Sequence, residues 1–320
     1  MRACGYRETR RFHPSWGYHV RPPLVTVGTP FLNAEACLLG AVRSVFAQSF
    51  SDWELILMDD GSTDGGLELA RSITDPRVRV YSDGRNLKVT TRRNQIVQLA
   101  RGKYFAWLDA DDMMHPDRLK KQVQFLENNP SVAVLGTGML ILDPSGRVIG
   151  KRPPGTGRAS SCKPSECPLW QGTVMGKTDW FRKNPQDASL ARGADLELWL
   201  RTFSHSHFAN LSEPLYFYTE LESFNPEKYR LAWRCTRKVI RRHGPSLVGR
   251  LNTHKEILKG YLKVAIYTGA YYCGLHEVLL RHRNLPVSWE EKMAAEAILY
   301  RIRQQPIPLR DTLGQPDVTA

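Results

Sequence analysis

The chain has 320 residues, 42% of them hydrophobic, 24% charged and 10% aromatic. That length accommodates one large domain with an appendage, and the composition excludes a wholly disordered chain. The formal net charge is +13, and it is uneven: Pro226 to Arg310 carries seventeen Lys/Arg against six Asp/Glu. Such a balance favours polyanionic partners. No helix-turn-helix, zinc-finger or RNA-recognition motif accompanies it, and no nucleic acid is expected as partner.

Residues 1–22 read as a basic lead-in ending at Pro22-Pro23. Regular alternation follows. Leu24 to Thr29 is a short β-branched run, predicted as a buried strand. Asn33 is placed to cap a helix whose apolar positions Leu38, Val42, Val45 and Phe46 follow helical spacing. Trp53 to Met58 is a second buried strand, Leu67 to Ile73 a helix and Val78 to Tyr81 a third strand. Thr90 to Ala100 is a helix stopped near Gly102, and Tyr104 to Leu108 is a fourth strand. His115-Pro116 opens a helix with Leu119, Val123 and Leu126 on one face. This alternation predicts an α/β fold with a mostly parallel sheet covered on both faces.

After Ser131 the pattern changes. Val132 to Leu142 is strand-like, Asp143-Pro144-Ser145-Gly146 signals a turn, and Val148-Ile149 returns as a hairpin. Lys151 to Pro168 reads as a loop. Ala194 to Phe203 is helical, and from Lys228 the chain is mainly helical and basic. The expected division is 23–225 as the main domain (23–130 and 131–225 as its halves) and 226–320 as a helical extension.

The six cysteines, Cys4, Cys37, Cys162, Cys167, Cys235 and Cys273, include no CxxC pair. Reduced thiols in a cytoplasmic protein are the plain expectation. Neither a signal peptide nor a membrane-spanning run of about 20 apolar residues is predicted.

Ligands of open parallel sheets bind at the carboxyl ends of strands. Two acidic clusters fall there: Asp59-Asp60-Gly61-Ser62-Thr63-Asp64 after the second strand, and Asp109-Ala110-Asp111-Asp112 after the fourth. Carboxylates gathered at one edge repel one another unless a cation or hydrogen-bond donors compensate. An all-oxygen site of this kind suits Mg²⁺ or Mn²⁺, which neutralise the charge on a diphosphate leaving group. A positioned carboxylate elsewhere could activate a hydroxyl nucleophile. Asp195, at the start of a helix whose N-terminus favours an anion, is the candidate, with Glu197 competing.

These pieces occur in the order of a known family. Val25 to Glu35, Trp53 to Asp64, Arg93-Asn94 with Ala100 to Asp112, and Gly193-Ala-Asp-Leu-Glu-Leu-Trp-Leu-Arg201 together resemble a family-2 glycosyltransferase with the GT-A fold. The resemblance covers roughly Pro23 to Phe224. It implies a nucleotide-diphosphate sugar donor, a UDP-linked one first, and transfer to an acceptor hydroxyl with inversion. The acceptor would be a glycan, a lipid-linked molecule or a small molecule.

Position by position, Pro30, Phe31, Asn33 and Glu35 would belong to the nucleotide loop. Asp60 would contact the base, and Arg93 would lie near it. Asp109 would approach the ribose or metal, Asp111 would be the principal metal ligand with Asp112 in support, and Asp195 would be the general base. Trp170 is a candidate acceptor platform.

The chain departs from the pattern in three places. Phe31-Leu32 stands where many relatives have Thr-Tyr, Ala194 where a Glu is common, and Gly28 where a larger apolar residue is usual. A catalytically impaired sugar-nucleotide binder is the alternative these departures raise. The processive Gln-x-x-Arg-Trp motif is absent, which favours single-sugar transfer. The basic tail around Trp233, Arg234, Arg237, Lys238, Ile240, Arg241 and Arg242 resembles an amphipathic helix suited to peripheral contact with an anionic membrane.

Overall fold

The computed structural model describes residues 21–156, 164–220, 224–275 and 284–310. Most of the basic lead-in, Cys4, Cys162 and part of the loop at 151–168 therefore lie outside the described residues. The strands β1 (Val25–Phe31), β2 (Trp53–Asp59), β3 (Val78–Tyr81) and β4 (Tyr104–Trp107) are joined through helices α1 (Leu38–Phe46), α2 (Gly66–Ser72) and α3 (Val89–Leu99). β1, β2 and β4 are buried at every position. That is the signature of strands covered on both faces, and it explains why their sequences run apolar instead of alternating.

The chain continues through β5 (Met113–Met114), α4 (Arg118–Asn128), β6 (Val134–Leu142), β7 (Val148–Arg152), β8 (Met175–Lys177), α5 (Thr178–Lys183), α6 (Ala194–Thr202) and β9 (Phe208–Thr219). All nine strands join one sheet in the order β3-β2-β1-β4-β8-β6-β9-β5, with β7 on β6. The β1, β2, β3 and β4 ladders are parallel. β8 runs antiparallel to both β4 and β6, while β9 lies parallel to β6.

Gly28 has a packing reason. A Cβ there would lie 2.4 Å from the Phe105 ring and 2.6 Å from Ile96 Cγ2. Side chains from β4 and α3 fill the space that a larger residue in β1 would need.

Two helix starts differ from expectation. Asn33 does not cap α1, which begins five residues later behind Cys37. Its side chain faces the neighbouring loop instead. α4 begins at Arg118 with Asp117 before it, so Pro116 precedes the helix and does not open it. The elements β8 and α5, and the long β9, carried no predicted assignment. β9 contains Ser212-Glu213-Pro214 and shifts register against β6 at Thr137/Gly138, so no clean alternation marks it.

The helical tail folds back on the sheet domain. α7 (Pro226–Tyr272) is two helices across a break at Gly249, whose φ of 79° and ψ of 161° suit a residue without Cβ. The two arms pack side by side: a Cβ on Gly260 would come within 2.9 Å of the Trp233 ring, and one on Gly244 within 2.8 Å of Thr253. The Tyr229 and Tyr267 rings lie 5.1 Å apart. Helix α8 (Trp289–Gln304) starts with a Ser288/Glu291 capping box and joins a core cluster with Leu140, Leu142 and Phe217. Beyond it, Leu309 bridges Ile73 beside α2. Cys37, Cys167, Cys235 and Cys273 are free thiols.

Candidate active site

The carboxyl ends of β1 and β2 carry two loops stitched together by short polar contacts. Asn33, at φ 50°, accepts hydrogen bonds from the Thr63 amide (2.8 Å) and donates its own amide to Ser62 Oγ (3.0 Å). Glu35 accepts from the Gly65 amide (3.0 Å) while its own amide donates to Asp64 Oδ2 (2.9 Å). Asp59 accepts from the Ser62 amide and from Ser82 Oγ. Donors thus answer the carboxylates of this cluster. Asp60 is the most buried case after Asp59. Its Oδ1 accepts from the Leu87 amide at 2.7 Å and from Arg92 Nε at 3.0 Å, and Arg92 is 0% exposed. Arg92 also donates to Asp83, whose carboxyl it holds well below the usual range.

The β4 end is built differently. Arg93, next along α3, donates to Asp109 Oδ1 at 2.8 Å, with its guanidinium 5.7 Å from the Trp107 ring centroid. Burial alone would lower the Arg93 pKa, but Asp109, with Asp195 and Tyr216 behind it, raises it. Asp112 turns inward. Its Oδ2 accepts from the Tyr216 hydroxyl (2.7 Å) and its Oδ1 from the Thr219 amide (2.8 Å). Burial, then Asp109 and Asp111, push its carboxyl well above the ordinary range in spite of those bonds. Asp111 is raised as well, by burial and then by Asp109. The Cys37 thiol is raised by burial and by the same charges, Asp111 and Asp112 ahead of Asp64. Negative charge is therefore under-compensated here, which is the condition a bound dication reverses.

Tyr216 and Arg118 were not singled out in the sequence, yet they position this cluster. The Tyr216 hydroxyl accepts from the Asp109 amide (3.2 Å) as well as donating to Asp112. Arg118 is buried at 0% exposure, donates to the Trp107 and Val174 carbonyls, and lies 5.1 Å over the Tyr216 ring. Burial lowers its pKa to about 10. Tyr216 sits on β9, more than a hundred residues from Asp112, so no local signal could have paired them.

On the other side, Gly193 with φ 76° occupies the position before α6, so Asp195 is not the helix cap. Asp195 lies in the first turn, close enough to act on Arg93. Ala194, where a carboxylate is common, is 6% exposed. Glu197 is 2% exposed and turned the other way: Arg201 Nε donates to it at 3.0 Å, and His243 Nε2 of α7 lies 3.1 Å away. That geometry braces α6 against α7. Trp170 is half-buried, and its Nε1 donates to the Pro153 carbonyl (3.0 Å). Asn94 of α3 exchanges two 2.9 Å hydrogen bonds with the Gln186 backbone, fixing the segment before α6 to the nucleotide half.

Between these walls lies a cleft of about 560 Å³. It is lined by Pro30, Phe31, Leu32 and Asp60, by Asn86, Lys88, Val89 and Thr90, and by Ala188 to Ala191. Leu32 and Val89 are 44% and 47% exposed into a lining that is mainly apolar, as a flat heterocycle requires. Lys88, at φ 74°, stands at its edge in a backbone region that non-glycine residues seldom adopt.

Among the described residues no three His, Cys, Asp or Glu side chains converge as a ready metal cage. The donor set still fits Mg²⁺ or Mn²⁺: hard carboxylate oxygens, mutually repelling, beside an open cleft. Such ions are commonly held by one or two carboxylates, with water and substrate phosphates completing the shell.

Known proteins resemble this chain in sequence and fold. The family described as Glycosyl transferase family 2 matches residues 26–184. EpsE of Bacillus subtilis (strain 168), named as a glycosyltransferase, is 35% identical over 201 residues, spanning 61% of this chain and 72% of that protein. The S. aureus TarS 1–349 crystal structure superposes with a TM-score of 0.56 at 19% identity, covering 87% of this chain and 80% of that one. The same fragment has been solved in complex with UDP-GlcNAc. The mannosyltransferase PcManGT of Pyrobaculum calidifontis, in complex with GDP-Man and Mn²⁺, gives a TM-score of 0.56 at 12% identity, covering 89% and 87%. The fold is thus GT-A, and the chain belongs to glycosyl transferase family 2.

Proposed function

We propose that the protein transfers a single sugar from a UDP-linked donor to an acceptor hydroxyl with inversion, in glycan or glycoconjugate biosynthesis. One observation carries this reading. Arg93 sits between the two halves of the site, bonded to Asp109 at 2.8 Å and within the field of Asp195. Asp109 and Asp195 thus act on one arginine, although 86 residues separate them in the sequence, which supports a donor-side and an acceptor-side carboxylate working together.

The apolar cleft beside Asp60 takes the nucleoside, and the β4 end takes the diphosphate. Asp111, with Asp109, would hold Mg²⁺ or Mn²⁺, which when bound supplies positive charge to the diphosphate as it leaves. Asp112, bonded to Tyr216 and Thr219, shapes the loop that presents them. Asp195 accepts the proton of the acceptor hydroxyl. The oxygen then forms a bond to the anomeric carbon from the face opposite the diphosphate. The bond from that carbon to the diphosphate oxygen breaks, and the electron pair leaves with UDP. Inversion follows from the single displacement. Glu35 and Asn33 act through the loops they join. Trp170, at the open side, offers an aromatic surface to the acceptor.

A thermal-shift panel of UDP, GDP, dTDP and CMP, each with and without Mn²⁺, tests the donor assignment. A shift selective for UDP and dependent on metal is expected, growing with ligand concentration as mass action requires. Absence of a metal-dependent shift with all four would sink it. Asp195→Ala should keep the UDP shift and lose transfer, which separates base from binding site.

A further inference from the structure

The second arm of α7, from Arg250 to Tyr272, presents an apolar stripe to solvent. Leu251 is 81% exposed, Leu258 69%, Leu262 59%, Ile266 48% and Tyr272 74%. The spacings 7, 4 and 4 keep Leu251, Leu258, Leu262 and Ile266 on one face of a helix, with Tyr272 at its border. The opposite face is occupied: Thr253, Glu256 and Gly260 are buried towards the first arm. Single exposed leucines need no explanation, but a continuous row along one helix does.

The charges around the row say what would cover it. Arg250, Lys255, Lys259 and Lys263 are all exposed, with Lys263 also lying 5.4 Å over the Trp233 ring of the first arm. The lone acid of the arm, Glu256, is 7% exposed and bonded to Lys259 and Ser165. The outward surface is thus apolar and cationic with no exposed carboxylate. A second copy of the same face would bring like charges together. A nucleic acid would match the lysines and leave the leucines in water. An anionic bilayer surface satisfies both, with acyl chains for the stripe and headgroups for the flanks.

We infer that the outer face of this arm is a peripheral docking surface for an anionic lipid bilayer. Sequence alone pointed to the first arm. There, however, Ile240 is 0% exposed, Trp233 lies against Gly260, and Arg237 is stacked 4.0 Å over Tyr261. Those groups hold the two arms together, and the lipid-facing apolar surface belongs to the second. No helix of the described residues is long and apolar enough to cross a membrane, so the contact is one of lying on the surface.

The test is co-sedimentation of the full chain with vesicles of phosphatidylcholine containing 30% phosphatidylglycerol, against vesicles of phosphatidylcholine alone. Binding should need the anionic lipid and fall as salt rises. Leu258→Glu combined with Leu262→Glu should weaken it at least tenfold, and Arg250→Gln combined with Lys255→Gln several-fold. Both double variants should keep the wild-type melting temperature and UDP shift, because the nucleotide cleft lies elsewhere. Equal binding by wild type and the Leu258/Leu262 variant would overturn the assignment. So would a wild-type dimer in light scattering that this variant converts to a monomer with no vesicle binding at any salt.

Discussion

The acidic clusters at the ends of β2 and β4 look alike in sequence and differ in how their charge is answered. At β2, Asp59, Asp60 and Asp64 each accept from backbone amides, hydroxyls or Arg92. At β4, Asp111 and Asp112 are pushed above the ordinary carboxylate range, by burial first and by their neighbours next. Consecutive residues of α3 serve the two: Arg92 faces the first cluster and Arg93 the second. Neighbouring helix residues point about 100° apart, so one helix reaches both strand ends. The first cluster is thereby a finished scaffold. In the second, burial and neighbouring carboxylates raise Asp111 and Asp112 in spite of the donors around them.

That contrast can be broken by experiment. The largest expected effect is on turnover. Asp111→Ala and Asp195→Ala should each lower transfer by about 10²- to 10⁴-fold, while urea unfolding midpoints stay close to wild type. Transfer within threefold of wild type in both variants would remove the role assigned to the β4 cluster and α6. Asp111→Ala should also abolish the rise in melting temperature that Mn²⁺ with UDP produces, whereas Asp64→Asn should retain it.

Next comes the scaffold. Arg92→Met should destabilise the fold by about 3 kcal/mol, because it strands two largely buried carboxylates. Arg93→Met should cost less, about 1 kcal/mol, because Asp109 keeps partial access to solvent, and should weaken UDP binding several-fold by freeing Asp109 from its partner. Chemical denaturation and calorimetry on the same two proteins measure both. A similar stability loss in the two variants would erase the distinction.

Acid pH probes the same difference. The Arg92 guanidinium depresses the folded-state carboxyl of Asp83. Its stabilisation is present above the unfolded-state pKa and is lost as pH falls through the depressed folded value. Asp83→Asn should flatten the acid limb of a plot of melting temperature against pH, and leave the region above pH 6 parallel to wild type. The smallest effect lies at the cleft edge. Lys88→Gly should stabilise by about 1 kcal/mol, because Gly adopts φ 74° without the strain a side chain brings. A lower melting temperature in that variant would show the strain to be absent.

Much of this molecule was legible from local pattern. The apolar runs of β1, β2 and β4 announced buried parallel strands, and the carboxylates after them marked the working edge. Helices α2, α3 and α6 fell within a residue or two of their expected spans. β9 was not legible, because Ser212-Glu213-Pro214 interrupts it and its pairing with β6 is set across seventy residues. With β9 hidden, Tyr216 was hidden too, and so was the inward turn of Asp112. Asn33 misled for a related reason. Its side chain suits a helix cap, but its partner Thr63 belongs to the next loop.

Composition and periodicity determined that this chain would form an α/β sheet with acidic strand ends and a basic helical tail, because those signals depend on residues close in sequence. Tertiary structure alone decided which donors answer each carboxylate, and which face of the tail remains exposed. Both depend on what arrives from elsewhere in the chain: Arg92 and Arg93 beside the strand ends, Tyr216 beneath Asp112, and one arm of α7 against the other.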